Sequence, residues 1–392
     1  MAYSSKLLVP LFAFFVLYGP QPLLPRLAEV FAVTHSRAAL IMTATLVPLA
    51  VAPVAYGAVL ARVSARTVLL VSVAGLGIFT IGFGLVESFP TSSFPAAVTL
   101  RLGQGLLLPA ILTATMTALS ETTATARMQA VMSAYIATTV AGGLGGRLLA
   151  GVLATNASWT HFFVLVGAAL LASLPVIWRI PAGSAAATRP TGGWHLRAVL
   201  RRRSTWRIYL AIACLFFVFV GVLTFLPFRV KALAPATTDQ GIALLYCGYL
   251  MGIVASLAAP RLIARVGTPG RTLLAGYAIY ALSVPLLLVG VLPAVFAAIF
   301  VFCFGMFLVH AIASSWVNER AGEARGLVNG LYVASYYSGG VLGSYLPGLV
   351  FERFGWAPML AGLLGIAAIG LVLAASAVRA DRAVDTPPHA ET

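Results

Sequence analysis

Two stretches of nineteen residues, AGGLGGRLLAGVLATNASW at 141–159 and SGGVLGSYLPGLVFERFGW at 338–356, match each other without a gap, 197 residues apart. The shared residues are mostly glycines: Gly142, Gly143, Gly146, Leu149, Gly151 and Trp159 align with Gly339, Gly340, Gly343, Leu346, Gly348 and Trp356. Both copies lie in long apolar stretches. A repeat of about half of the 392-residue chain, apolar in both halves, predicts two membrane bundles related by pseudo-symmetry. Transporters are often built this way, with the substrate held between the halves.

The composition indicates a membrane protein. Sixty per cent of the residues are hydrophobic, 9% are charged, and the mean hydropathy is +0.98. A soluble domain cannot bury that much apolar surface, so the solvent of this chain is lipid. Cys214, Cys247 and Cys303 all lie in apolar stretches and are expected to be small buried hydrophobes, so we expect neither a metal site nor a cofactor.

Twelve apolar spans have the length that about 30 Å of hydrocarbon demands. They are 7–25, 38–61, 67–86, 94–118, 129–153, 159–179, 207–228, 240–264, 272–290, 292–317, 326–350 and 356–378. Because lipid offers no hydrogen bonds to the backbone, each span is predicted to be a helix. The domains expected from this pattern are an N-terminal six-helix bundle (1–180), a basic cytoplasmic linker (181–206), a C-terminal six-helix bundle (207–378) and a disordered cytoplasmic tail (379–392).

The distribution of basic residues predicts the orientation. With the N-terminus in the cytoplasm, the cytoplasmic segments contain 18 Lys and Arg, whereas the outer loops contain 5. The positive-inside rule therefore places both termini in the cytoplasm. The net charge of +15 collects in the loops of one membrane side, which favours contact with lipid phosphates over nucleic acid binding.

Several motifs are similar to those of a known family. The loop after span 2 reads Gly57-Ala-Val-Leu-Ala-Arg62-Val-Ser-Ala-Arg66, and the second half has a shorter copy, Arg261-Leu-Ile-Ala-Arg265-Val-Gly267. Span 4 contains Arg101-Leu-Gly-Gln104-Gly105. These stretches resemble the G-x-x-x-D-R-x-G-R and R-x-x-Q-G motifs of the major facilitator superfamily, and the resemblance extends over nearly the whole chain. It implies an all-α fold of two six-helix bundles that alternate access to a central cavity.

The same resemblance implies a gate in these loops. Its residues are Gly57, Arg62, Arg66, Arg265 and Gly267. The family's acid is replaced by Ala61 and its second glycine by Ser64. The sequence therefore does not determine how strongly this gate closes, whereas the predicted fold is unaffected.

Three further stretches resemble the YnfM-like (acriflavine-sensitivity) branch of presumed efflux proteins. They are Tyr18-Gly-Pro-Gln21-Pro-Leu-Leu-Pro25 in span 1, Gly145-Gly146-Arg147 in span 5 and the stretch 336–348 in span 11. This branch implies an antiporter that exports molecules through the inner (plasma) membrane. Ala141-Gly142 stands where drug antiporters have Gly-Pro, which argues against a drug antiporter.

The charges inside the spans are cationic. All ten acids lie in loops, at span ends or in the tail, while Arg101 and Arg147 lie within spans 4 and 5. At 1.5 Å per residue, both lie about 7–9 Å outside their helix midpoints. They are candidates for an anion-binding pair, because guanidinium suits carboxylate and phosphate. Two alternatives stay open: Arg101 bonds carbonyls freed near Gly19-Pro20, and Arg147 pairs with Glu29 or Glu87.

His310 is the only histidine deep in a span, and its titration range suits a proton carrier. The alternative is a neutral, hydrogen-bonded histidine that packs between helices. In the superfamily, spans 1, 4, 7 and 10 line the cavity, and tyrosines of spans 8 and 11 could reach it. The substrate-binding candidates are Tyr18, Gln21, Arg101, Gln104, Arg147, Thr224, His310 and Tyr336.

Together these features predict a secondary transporter that exports a small anionic or neutral amphipathic molecule in exchange for protons. The alternative is an organic-anion importer or facilitator without proton coupling. A membrane enzyme is disfavoured, because the chain has neither acid or histidine clusters near the interface nor a sizeable soluble domain. We expect a monomer whose partners are its small-molecule substrate, protons and membrane lipids, with no nucleic acid.

Overall fold

The computed structural model describes residues 4–60, 62–88, 93–123, 125–181, 203–319 and 325–385. The described residues form helices and the turns between them. In the first half of the chain the helices are α1 (Ser4–Tyr18), α2 (Leu24–Val30), α3 (His35–Leu60), α4 (Ala65–Gly84), α5 (Ser93–Thr122), α6 (Thr125–Asn156), α7 (Trp159–Ala172) and α8 (Leu174–Trp178). In the second half they are α9 (Arg203–Leu233), α10 (Asp239–Leu244), α11 (Leu250–Val266), α12 (Pro269–Ser283), α13 (Leu292–Glu319), α14 (Arg325–Phe354) and α15 (Trp356–Asp385). Short 3₁₀ turns lie at Gln21–Leu23, Val86–Ser88, Leu245–Tyr249 and Pro285–Leu288.

These elements account for the twelve predicted spans. Among the described residues, eleven helical stretches are long and apolar enough to cross a membrane, and α14, with 30 residues, is the twelfth long helix. Four of the predicted spans are each built from more than one element, as in the first span, where α1, the 3₁₀ turn and α2 follow one another. The all-α membrane fold predicted from the sequence is confirmed.

One predicted boundary needs correction, and another lies outside the described residues. The helix α15 continues to Asp385. Residues 379–385 are therefore helical, where a disordered tail was expected, because these polar residues extend the preceding helix. The basic linker predicted at 181–206 falls largely outside the described residues, and α9 already begins at Arg203.

The described residues fall into two compact units. The first unit contains those of 1–190 together with 223–247 and 344–352, and the second contains those of 191–222, 248–343 and 353–392. Three segments from the outer half of the predicted topology, at the ends of α9 and α14 and in α10, therefore pack in the first unit. The predicted division into bundles at 1–180 and 207–378 stays a prediction.

The glycines of the repeat make equivalent contacts in the two units. In the first, a Cβ at Gly142 would lie 2.6 Å from the carbonyl oxygen of Leu11 in α1, and Gly146 packs in the same way on Phe15. In the second, a Cβ at Gly339 would overlap the backbone of Ala213 in α9. Glycines spaced by four residues thus let the fifth span of each half pack directly against the first span of that half.

The repeated tryptophans also have equivalent positions. The indole nitrogen of Trp159 donates to a carboxylate oxygen of Glu87 at 3.0 Å, and that of Trp356 donates to the carbonyl of Leu287 at 3.0 Å. In each half the start of the last span is thereby bonded to the end of the third, which is the internal symmetry that the repeat predicted.

Candidate substrate site and outer contacts

Arg101 on α5 is wholly buried, and all five of its N–H groups have acceptors in the protein. Nε donates to the carbonyl of Ile41 at 2.9 Å, Nη1 to Val16 O at 2.8 Å and Nη2 to Leu17 O at 3.1 Å. The remaining two donate to Gln104 Oε1 at 2.6 Å and Thr45 Oγ1 at 2.7 Å. Since Pro20 has no N–H, the carbonyl of Val16 four residues earlier lacks its helical donor. Arg101 supplies that donor.

Gln104 and Gly105 complete this arrangement. The amide nitrogen of Gln104 donates to Phe79 O at 3.2 Å and to Thr80 Oγ1 at 3.3 Å. A Cβ at Gly105 would lie 2.8 Å from the Cα of Thr45, so only glycine allows α5 to lie this close to α3. The motif Arg-x-x-Gln-Gly therefore bonds α1, α3, α4 and α5 together.

Arg147 on α6 is also wholly buried, and its guanidinium lies between two tyrosine rings. Its Cζ is 4.2 Å from the ring centroid of Tyr18 and 4.8 Å from that of Tyr246. Nε and Nη2 both donate to one oxygen, Oε1 of Gln21, at 2.9 and 2.6 Å. Nη1 donates to the carbonyl of Gly143 at 2.7 Å. Arg101 has none of these partners, so the two arginines attach to different residues of the break in the first span.

Gln21 connects Arg147 to the second half of the chain. Its carbonyl oxygen accepts from Arg147, and its amide nitrogen lies 3.5 Å from Thr224 Oγ1 on α9. Gln21 and Thr224 are both buried. Four of the predicted substrate-binding residues, Tyr18, Gln21, Arg147 and Thr224, thus form one cluster. Their role in substrate binding stays a prediction.

A second set of bonds lies toward the helix ends that the predicted topology places outside. We call them the outer contacts: Arg26 with Asp239, Ser36 with Glu352, and Thr155 with Gln240. Arg26 Nε donates to the carboxylate of Asp239, which is 2% exposed, at 2.5 Å. The backbone N–H of Ser36 donates to Glu352 at 2.6 Å, and that of Gln240 to Thr155 Oγ1 at 2.9 Å.

The outer contacts use helix ends, where backbone N–H groups lack partners. Ser36 lies in the first turn of α3, and Glu352 of α14 accepts its N–H as an N-cap residue would. Gln240 lies in the first turn of α10, where Thr155 of α6 has the same role. Two helix starts are thereby capped by side chains from distant parts of the sequence.

Glu352 is ionised at neutral pH because these bonds favour its charged form. Burial by itself raises the pKa of this carboxyl, but the backbone N–H of Ser36, the hydroxyls of Thr34 and Ser36 and the neighbouring His35 outweigh it. The pKa of Glu352 therefore lies below its ordinary value.

A cavity of about 740 Å³ adjoins this carboxylate. Its walls include Glu29, Lys231 and Glu352, together with an imidazole between two phenyl rings. The ring of His35 lies 4.4 Å from that of Phe228 and 5.4 Å from that of Phe351, measured between centroids. The sequence did not indicate this cavity, because its walls come from three segments that lie far apart in the chain.

His310 on α13 lies in the second unit beside two tyrosines. Its Nδ1 is hydrogen-bonded to the hydroxyl of Tyr332 at 2.9 Å. The ring of Tyr336 lies 4.9 Å from the imidazole and stacks on Phe216 at 3.5 Å, measured between centroids. Two of the predicted site residues, His310 and Tyr336, are therefore neighbours. Their part in substrate binding or proton coupling stays a prediction.

The residues of the predicted gating motif lie at helix ends. Gly57 lies in α3, while the hydroxyl of Ser64, which replaces the family's second glycine, accepts from Thr67 N at 3.2 Å and begins α4. The Cζ of Arg66 lies 5.5 Å from the ring of Trp178, and Arg62 is exposed in the turn between α3 and α4.

The second copy of the motif ends α11. Arg265 lies in the last turn of that helix, and Gly267 has a φ of +98°, a conformation that favours glycine and stops the helix. Ala61, which replaces the family's acid, lies outside the described residues. The gating role of this motif stays a prediction.

Sequence reasoning missed the ion pair of Arg26 and Asp239 and the bond of Arg147 to Gln21. Glu87, one of two acids considered for Arg147, accepts from Trp159. The one local signal was Thr238 before Asp239 at the start of an apolar run, a typical helix start, where Thr238 Oγ1 accepts from Gly241 N at 3.1 Å.

Comparison with known proteins agrees with this fold. A sequence profile of the Major Facilitator Superfamily matches residues 7–344 and, in a second match, 236–392. The inner membrane transport protein YnfM of Escherichia coli is 27% identical over 350 residues, which cover 88% of this chain and 82% of that protein. An MFS-type transporter of Bacillus subtilis, YybF, is 25% identical over 366 residues, 92% of this chain and 88% of that one.

Solved structures share the same fold. A bacterial homologue of the human lysosomal transporter Spinster, in an inward-facing and occupied conformation, has a TM-score of 0.78 at 14% identity and 98% coverage of both chains. The nucleoside transporter NupG has a TM-score of 0.76 at 12% identity, with 97% of this chain and 100% of that one covered. With the profile matching most of its length, the chain belongs to the Major Facilitator Superfamily of multi-pass membrane transporters, which confirms that it is a transporter and not an enzyme.

Proposed function

We propose that this transporter exports a small organic molecule, anionic or neutral and amphipathic, across the inner membrane in exchange for protons. It works by alternating access as a monomer, with both termini in the cytoplasm. The resemblance to the efflux branch supports the direction of transport. The sequence identity of 27% with YnfM, an inner membrane transport protein, supports the location.

The observation that carries the substrate class is the environment of Arg147. Its wholly buried guanidinium lies between the rings of Tyr18 and Tyr246, and it donates two N–H groups to the neutral amide oxygen of Gln21. A carboxylate is a stronger acceptor than an amide, because hydrogen bonds between charged partners are roughly twice as strong as neutral ones. Aromatic faces also suit the apolar part of an amphipathic substrate.

Arg101 has a different role in this proposal. Its five N–H groups are already bonded to Val16, Leu17, Ile41, Thr45 and Gln104. An anion at Arg101 would have to break these bonds and leave buried carbonyls without donors. We therefore assign Arg101 and Gln104 to holding the break in the first span, and we assign the anion site to Arg147.

The cluster of His310 supports proton coupling. The hydroxyl of Tyr332 donates to the backbone carbonyl of His310 at 3.3 Å, so Nδ1–H is able to donate to the hydroxyl oxygen. In this tautomer Nε2 takes up a proton while Nδ1 keeps its partner. The sequence places no carboxylate in the middle of a span, so His310 is the internal group best suited to this role.

The outer contacts support alternating access. They bond α2, α3 and α6 of the first half to α10 and α14 of the second half. Substrate release to the outside requires these helix ends to separate, so the contacts of Arg26, Ser36 and Thr155 would break in each cycle.

The test is a proton-flux assay on purified protein in liposomes that contain a pH-sensitive dye. Organic anions, neutral amphiphiles and cationic dyes are added in turn. We expect anions to trigger proton movement and Arg147→Gln to abolish it. Arg353→Gln, which removes an exposed outer cation, is the matched control and should leave the proton movement intact. Proton movement triggered by cationic dyes would contradict the substrate class. Anion flux without proton movement would favour the uncoupled importer or facilitator instead.

A further inference from the structure

We infer that the side-chain carbonyl of Gln21 occupies the carboxylate site of Arg147 in this structure, and that a substrate carboxylate displaces it and thereby releases the outer contacts. The inference rests on the anionic substrate class proposed above and adds the step by which binding opens the outer side.

The first argument is the geometry of the guanidinium edge. Nε and Nη2 point in the same direction, and this edge accepts the two oxygens of a carboxylate in parallel bonds. Here both nitrogens share the single Oε1 of Gln21, at 2.9 and 2.6 Å. A neutral acceptor with one oxygen therefore occupies an edge that suits a charged acceptor with two.

The second argument is that the guanidinium is held in place independently of Gln21. The rings of Tyr18 and Tyr246 lie on it at 4.2 and 4.8 Å, and Nη1 is bonded to Gly143, one turn earlier on α6. The hydroxyl of Tyr246 donates to Leu223 O at 2.8 Å, which fixes that ring. Exchange of the acceptor leaves the arginine in position, so the site exists before the ligand arrives.

The third argument is the connection from Gln21 to the outer contacts. Gln21 begins the 3₁₀ turn that leads directly into α2, and Arg26 follows five residues later with its bond to Asp239. The amide nitrogen of Gln21 contacts Thr224 at 3.5 Å, a long bond that depends on the orientation fixed by Arg147. Loss of the Arg147 bond frees both the amide and the turn that leads into α2, the helix that carries Arg26.

The fourth argument is that α6, one turn after Arg147, packs against the segment that contains Asp239. Gly151 lies four residues after Arg147, on the same side of α6, and a Cβ there would be 2.7 Å from the carbonyl oxygen of Asp239. Arg147 and the contact with Asp239, the partner of Arg26, therefore lie on the same helix, one turn apart. A carboxylate that binds better after Gln21 has left shifts the equilibrium toward separated outer ends, since a ligand favours the state it binds more tightly.

The experiment measures the distance between outer helix ends with and without defined acids. Cys214, Cys247 and Cys303 are replaced by alanine, and spin labels are attached to Asn156→Cys and Ala236→Cys, which are exposed and outside the proposed site. Acetate, benzoate and octanoate are compared with acetamide, benzamide and octanamide. We expect at least one acid to lengthen the label distance, and we expect its amide to leave the distance unchanged.

Two variants separate the steps. Gln21→Leu removes the competing oxygen, so the effective acid should act at about tenfold lower concentration and the labels should already be further apart without ligand. Arg26→Gln weakens the outer contacts but leaves Gln21 and Arg147 in place, so the labels should separate without ligand. Because opening and binding are coupled, the effective acid should then act at a lower concentration than in the parent.

Unchanged label distance and unchanged acid dependence in Gln21→Leu would overturn the inference, as would the absence of any response to the three acids. The same protein is also tested for anion-triggered proton flux in liposomes. Normal flux with no effect of Gln21→Leu rejects the displacement step alone, whereas the loss of anion-triggered flux in the parent protein rejects the proposed function.

Discussion

Replacement of Arg101 by methionine removes a side chain with five hydrogen bonds, four of which join α5 to α1 and α3. Individual hydrogen bonds in membrane proteins contribute about 0.6 kcal/mol on average, so the five bonds of Arg101 together contribute about 3 kcal/mol. The carbonyl of Val16 is affected most, because Pro20 offers it no replacement donor.

For a chain of this size, 3 kcal/mol corresponds to a decrease of about 4 °C in melting temperature. The assay is thermal unfolding of the purified protein in detergent, followed with a thiol-reactive dye. Arg353→Met, at the exposed end of α14, is the matched control and should melt like the parent. Arg101→Lys keeps the charge but has three donors at one point, so it should melt close to Arg101→Met.

An unchanged melting temperature in Arg101→Met, together with lost anion transport, would refute the structural role. That result would mean that other contacts replace the five bonds without loss of stability and that Arg101 binds substrate. Normal transport at a lowered melting temperature would support the assignment of the anion site to Arg147 instead.

The remaining predictions concern the outer contacts and proton coupling. Gly151→Leu should abolish transport, because a Cβ there would lie 2.5 Å from the Cβ of Ala243 in α10. The control Gly362→Leu, where the added side chain meets open space, should transport normally. Equal flux in the two variants would contradict the close approach. The pKa of Glu352 is lowered, so its bond to α3 is complete at neutral pH and is lost as the pH falls through the lowered value; labels at the outer ends should separate in acid, and Glu352→Gln should remove this pH step. His310→Ala should transport its substrate without proton movement, with Tyr332→Phe weakening the coupling, and full coupling in both variants would leave His310 as a packing residue.

The fold could be predicted because its signals are local and repeated. Glycines four residues apart within an apolar span, as at Gly142 and Gly146, indicate close helix packing, and apolar length alone predicts a span. The helical extension to Asp385 was missed because a polar helix end looks like a polar tail in sequence.

The candidate site could be predicted only in part. The carbonyl freed by Pro20 is readable from sequence, and it correctly suggested one set of bonds for Arg101 as an alternative. The bond between Gln21 and Arg147 spans 126 residues, and the pair of Arg26 and Asp239 spans 213. Such partners are set by how helices pack, and no periodicity or motif in the chain records them.

The central claim is that the substrate's carboxylate binds Arg147, and equilibrium binding tests it most directly. Titration calorimetry on purified protein compares an acid that triggers proton flux with its amide, in the parent protein and in Arg147→Gln. We predict that the parent binds the acid at least tenfold more tightly than the amide and that Arg147→Gln binds the two equally. Equal binding by the parent, or a preference for the acid that survives in Arg147→Gln, would contradict the account.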